Sequence, residues 1–87
     1  MAAIQQKVKE ILSEIFSDQE IQIDLNQNGR VAGFIVSEKF AGMDHEARQR
    51  KIWSLLEKKI TRAERSKILG FIAFTPEEHE VYSEPSL

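Results

Sequence analysis

The side chains best placed to do chemistry crowd between Arg48 and Lys67. Arg48, Arg50, Lys51, Lys58, Lys59, Arg62, Arg65 and Lys67 stand there against only Glu57 and Glu64, a local charge of +6 in an 87-residue chain whose net charge is −2. The remainder carries four basic and twelve acidic groups, or −8. Such separation suits a face that binds a polyanion. It also fits a solvated helix face that balances an acidic remainder.

Catalytic chemistry is poorly provided for. The histidines are His45 and His79, and neither has the cysteine or spaced carboxylates that would make a triad or a metal site. Glu77, Glu78 and Glu80 beside His79 offer weak metal ligands at best and read more simply as the charged cap of a terminal helix. Ser54 and Ser66 have no evident base. The absence of cysteine removes a disulfide, a thiolate metal site and a thiol nucleophile. Glycines at 29, 33, 42 and 70 make neither GxGxxG nor a P-loop. The expectation is a non-enzymatic protein with no metal and no cofactor of its own.

The elements that position the basic segment can be read from the same residues. Asp44 is a good N-cap, and Glu46 adds negative charge at the positive end of a helix dipole. From there Ile52, Leu55, Leu56 and Ile60 form one stripe with Trp53 at its edge, and Gln49 and His45 fall on that side. Ala47, Arg50, Lys51, Ser54 and Lys58 fall opposite. One side of this main helix, within Phe40 to Ile60, is therefore core and the other wet and basic. Gln49 needs a hydrogen-bond partner if it faces a core.

Before it, Ala2 to Phe16 repeats apolar residues at helical spacing and reads as a first helix with one buried face. Glu20 to Leu25 alternates as a half-buried strand. Asn26-Gln27-Asn28-Gly29 signals a hairpin. Arg30 to Ser37 returns as the central strand, apolar on both faces, with Gly33 marking a close approach or a bulge. Glu38 to Met43 is a linker or a single helical turn. After the main helix, Thr61 to Arg65 reads as a polar connection and Lys67 to Phe74 as a third strand, apolar on both faces. Thr75-Pro76-Glu77-Glu78 is a complete helix start, with a capping box and proline at the first helical position. The last helix runs to about Tyr82, leaving 83–87 as a tail and 1–82 as one domain. The strand–helix–strand unit implies a parallel pair with a right-handed crossover, and the sheet should keep one partly open face. The N-terminus has no unbroken apolar run, so neither a signal peptide nor a membrane span is expected and the default location is cytoplasmic.

An α-β-β-α-α-β order with a basic helix resembles the second class of KH domain, which grips single-stranded RNA with a GXXG loop. Here the turn Phe40-Ala41-Gly42-Met43 has one glycine, so any binding rests on the basic side chains. A more specific resemblance is to the BolA-like family, over roughly Ile21 to Glu78. IVSEKFAGM resembles that family's strand-end Phe-x-Gly segment. RQRKIWSLL resembles its Arg-His-Arg helix start, and ILGFIAFTPEE its last strand running into Thr-Pro-x-Glu. The resemblance implies an α+β fold, α-β-β-α-α-β-α, with a three-stranded mixed sheet and helices mainly on one face. It implies no enzymatic activity and roles in stress response, morphology, transcription-type regulation and iron homeostasis. Some members bind DNA; others share a [2Fe–2S] complex with a monothiol glutaredoxin.

The sequence departs from the family at the ligand positions. The family's usual ligand histidine, spaced back from Thr75-Pro76, is Lys67 here. The loop from Asn26 to Arg30, where some relatives carry a second ligand, has neither His nor Cys. The Arg-His-Arg histidine is Gln49. A lysine ammonium does not ligate iron. The expected function is therefore a regulatory protein that binds nucleic acid through Arg50, Lys51, Lys58, Arg62, Arg65 and Lys67. The alternative is an adaptor that partners a monothiol glutaredoxin without its own cluster ligands. A monomer or weak dimer is expected in either case.

Overall fold

The computed structural model describes residues 4–83. Its elements run α1 (Ile4–Leu12), β1 (Ile21–Leu25), β2 (Val31–Val36), α2 (His45–Glu57), α3 (Arg62–Arg65), β3 (Ile68–Phe74) and α4 (Pro76–Ser83), with 3-10 turns at Asp18–Glu20 and Glu38–Phe40. The sheet order is β1-β2-β3. β1 pairs antiparallel with β2, and β3 pairs parallel with it. The mixed three-stranded sheet and the central place of β2 are as the sequence predicts.

Three boundaries differ from expectation. The first helix ends at Leu12, not Phe16. There the Ser13 hydroxyl donates to Lys9 O (2.7 Å), and Glu14 and Ile15 donate back three residues rather than four, so the coil tightens and stops. Its expected start at Ala2 and the expected tail beyond Ser83 lie outside the described residues. Thr61 to Arg65 is a capped single helical turn rather than a plain connection. Thr61 Oγ1 accepts from Glu64 N (3.1 Å) while Glu64 Oε1 accepts from Thr61 N (2.8 Å). The Thr-x-x-Glu signature was legible in the sequence. Ser83 belongs to α4.

The hairpin closes as the Asn-Gly pair suggests, by a particular route. Gly29 N donates to Asn26 O (3.0 Å), and Asn26 Oδ1 accepts from the amides of Asn28 and Arg30, each at 2.9 Å. Gly29 takes the left-handed conformation (φ 75) and no non-glycine residue among those described has positive φ, so Asn28 does not form a type I′ turn. Asp44 caps α2 by accepting from Ala47 N at 2.8 Å. Gly42 (φ 78) sets the bend before it.

α1 and α2 cover one face of the sheet. Val8, Leu12, Phe16, Val31, Ile35, Phe40, Ile52 and Leu56 are completely or almost completely buried there. Of the predicted stripe, Leu55, Ile60 and Trp53 are half-buried at its rim and His45 is exposed. The prediction that β3 is apolar on both faces is right in sequence, but only one face is fully covered. Ile68, Phe71 and Ala73 are buried, whereas Leu69 and Ile72 are each 53% exposed. Leu69 is the extra residue of a bulge, because Val31 faces Ile68 while Ala32 faces Gly70. On the other face α4 lays His79 against Phe34 (ring centroids 5.2 Å) and Phe74 (5.6 Å).

Candidate functional site

The structure sorts the basic segment into cations that hold the fold together and cations that face solvent. Arg48 belongs to the first group. Its Nε donates to Met43 O (2.9 Å) and its Nη1 to Ala73 O (3.1 Å). The guanidinium also makes a two-pronged pair with Glu78, at 2.6 and 3.0 Å, over the Phe40 ring. Glu78 is at the same time the capping-box residue of α4, accepting from Thr75 N at 2.9 Å. Its carboxyl is lowered to about 2, first by Arg48 and then by the Thr75 amide. The same pair raises Arg48. Lys59 is likewise engaged, with Glu14 of the segment after α1.

Glu64 is drawn out of the basic segment by Lys7 of α1, at 2.9 Å. That bond and the Thr61 amide lower its carboxyl. Removing Glu64 from the local balance leaves its basic neighbours on α3 less compensated.

Of the six predicted contact residues, Arg50 lies on α2 and pairs with Glu46 at 3.0 Å, both side chains being more than 70% exposed. Such an exposed pair contributes little and exchanges readily. Lys51, Lys58, Arg62, Arg65 and Lys67 have no ion-pair partner among the described residues. Helical spacing puts Lys51 and Lys58 on one flank of α2, since they are two turns apart. Trp53 lies on the other flank, and the Arg65 guanidinium sits 3.8 Å from the centre of its indole. This cation–π contact fixes α3 against α2 and holds the guanidinium flat. Arg62 and Arg65 also line a shallow cleft with Glu57, Ile60 and Thr61. Lys67 enters β3 with an exposed side chain, and its backbone carbonyl accepts from Val31 N (2.8 Å). Helical spacing thus spreads Lys51, Arg50 and Trp53 around α2, and only Arg62 and Arg65 are brought together in one cleft.

Two residues had functions that sequence reasoning left open. Gln49 finds the partner it needed, donating Nε2 to Phe71 O at 2.7 Å. Arg48 was counted only as charge, and its part as a clamp had no local signal because Glu78 is thirty residues away.

The residues at the positions of the family's cluster ligands do not fit an iron–sulfur centre. Lys67 is exposed, and the Asn26–Arg30 loop offers side-chain amides and a guanidinium. No group of three or more His, Cys, Asp or Glu that could hold a metal occurs among the described residues. Nor is any described helix long and apolar enough to cross a membrane.

The chain matches no protein-family model and no curated protein. Its fold matches solved structures. A Bol-like protein from Babesia bovis is 28% identical, with 92% of this chain and 93% of that one covered at a TM-score of 0.66. BolA1 from Arabidopsis thaliana is 20% identical, with 90% and 98% covered at 0.66. The BolA domain of SufE1 from Arabidopsis thaliana is 23% identical, again with 90% and 98% covered at 0.66. The latter two share the fold at identities too low to carry more than the fold.

Proposed function

The chain is BolA-like, and from that premise we propose that it is a non-enzymatic regulatory protein that binds nucleic acid through the cations of α2, α3 and the entry to β3. The observation that carries this reading is the sorting of charge. Arg48 and Lys59 are consumed by internal partners, and Glu64 is taken by Lys7. Among the described residues Lys51, Lys58, Arg62, Arg65 and Lys67 have no ion-pair partner; Lys51 is half-buried, the other four are exposed, with Arg65 resting on Trp53, and Arg50 is held only by an exposed pair. Phosphate contacts from these side chains would supply affinity without base specificity. The test is binding of duplex DNA and of single-stranded RNA at low and at physiological salt. Affinity should fall steeply with salt, and Lys51→Glu with Lys58→Glu should weaken low-salt binding by about tenfold or more. No binding, or binding indifferent to that double change, removes the proposal.

A second reading is an adaptor that docks a monothiol glutaredoxin without ligating a cluster. It is favoured by the exposed apolar side chains of β3, Leu69 and Ile72, close in sequence to Lys67. On this reading a mixture with a monothiol glutaredoxin, iron and sulfide gives a colourless heterodimer on gel filtration. A [2Fe–2S] centre has four terminal ligand positions, so Lys67→His alone adds too few and stays colourless. Adding Asn28→His gives at most weak colour. A stable coloured heterodimer with the unaltered chain would refute the ligand argument.

A further inference from the structure

The two edges of the sheet are treated differently. On β3 the carbonyls of Phe71 and Ala73 point away from β2 and are taken by Gln49 Nε2 (2.7 Å) and Arg48 Nη1 (3.1 Å). Side chains of α2 thus lie where a further strand would bond. Among the described residues β1 has no such side-chain cover. Asn26 N donates to Arg30 O (2.9 Å), and an antiparallel ladder alternates from there. Asp24 and Gln22 therefore bond to Ala32 and Phe34, while Ile21, Ile23 and Leu25 turn their amides and carbonyls to the outer edge. Among the described residues, Ile21 N is met by Asp18 O. A groove lined by Gln5, Gln6, Lys9, Ile21, Gln22 and Ile23 separates α1 from this strand, so the helix does not seal it. β1 also lacks the lysine, proline or bulge that usually blunts an edge.

We propose that β1 pairs with β1 of a second copy of this chain, antiparallel about a two-fold axis at Ile23, to form one continuous sheet. The strand is self-complementary in that register. Ile23 faces its own copy, and Ile21 faces Leu25, which is otherwise 47% exposed. Gln22 comes opposite Asp24 on the open face, in a pair without backbone bonds, where side chains approach closest. There the Gln22 amide can donate to the Asp24 carboxylate, twice by symmetry. The backbone bonds are Ile23 N to Ile23 O and Leu25 N to Ile21 O, each made in both directions. Five residues a side bury far less than the roughly 1,200 Å² of a stable interface, so the dimer is weak and reversible. β1 is the edge opposite β3, so this pairing is independent of the proposed basic face.

The register is what the experiment tests. Sedimentation velocity from about 10 μM to about 1 mM should show a reversible dimer. Gln22→Lys places opposite charges across the strands and should tighten it about threefold to tenfold; Gln22→Glu places like charges there and should weaken it similarly. Both changes should shrink at about 1 M salt. Gln22 is exposed, so neither variant should disturb the fold. Ile23→Pro removes an outward amide that has no partner among the described residues and should abolish the dimer; if that variant fails to fold, the two charge variants still decide. The proposal is overturned if both the unaltered chain and Gln22→Lys stay monomeric throughout, or if a dimer forms whose strength ignores residue 22. Capture of an extended peptide at β1 without self-association would overturn it too.

Discussion

Gly33→Ala should cost about 3 kcal/mol and lower the melting temperature by roughly 12 to 24 °C. A Cβ at this position would lie 2.0 Å from Gln22 O and 3.0 Å from both Gln22 C and Ile23 Cα. Every one of those atoms is backbone of β1, so no side chain can swing aside. β1 must move away from β2, and the pairing from Ile21–Ile35 to Leu25–Val31 is strained along its length. The comparison is Gly29→Ala. Gly29 has nothing within 4 Å of an added Cβ, but its φ is +75, so the cost there is only the left-handed penalty of about 1 to 2 kcal/mol. Chemical unfolding ranks the two, and amide exchange locates the damage in β1. Equal losses for both variants would mean that β1 yields more easily than its contacts indicate.

Arg48→Ala should destabilise by about 2 to 3 kcal/mol, because it leaves the carbonyls of Met43 and Ala73 without their donor. Arg48→Lys should rescue little. A point charge on a flexible stem cannot meet Met43, Ala73 and both oxygens of Glu78 together. The same clamp predicts an acid signature. Glu78 ordinarily titrates at 4.5 and is lowered to about 2 in the folded chain. A group lowered on folding stabilises above its ordinary value, and that contribution is lost as pH falls toward the folded value. The loss attributable to Glu78 therefore falls between about pH 4.5 and 2, and it should be absent in Glu78→Gln. Glu64 and Glu20, also lowered, add to acid sensitivity in the same direction. Thermal unfolding across this range in the unaltered chain, Arg48→Ala and Glu78→Gln checks the assignment. A Glu78→Gln profile parallel to that of the unaltered chain would place the acid transition elsewhere.

Much of the architecture was legible because its determinants are local. Asp44 reaches an amide three residues on, Thr75 and Glu78 exchange bonds over the same span, and Asn26 gathers the amides of its own loop. Alternation in β1 and helical spacing in α2 give the buried rows because side-chain periodicity follows from backbone geometry. These signals account for the element order, the central place of β2 and the covered face of α2. Thr61 and Glu64 carried an equally local signal, and α3 was readable from it.

What the sequence by itself determined, then, is the order of the elements and the place of the basic segment within it, since both rest on bonds and spacings a few residues long. The tertiary structure decided which of those cations remain available. Lys7 meets Glu64, Lys59 meets Glu14 and Arg48 meets Glu78 across 57, 45 and 30 residues of chain, distances over which one sequence holds no pairing rule. It also decided which apolar residues stay wet. β3 is apolar throughout, but α1 and α2 cover one face only, and the bulge at Leu69 offsets its register against β2. The two sheet edges differ for the same reason: Gln49 and Arg48 reach the β3 carbonyls only after α2 has packed beside them.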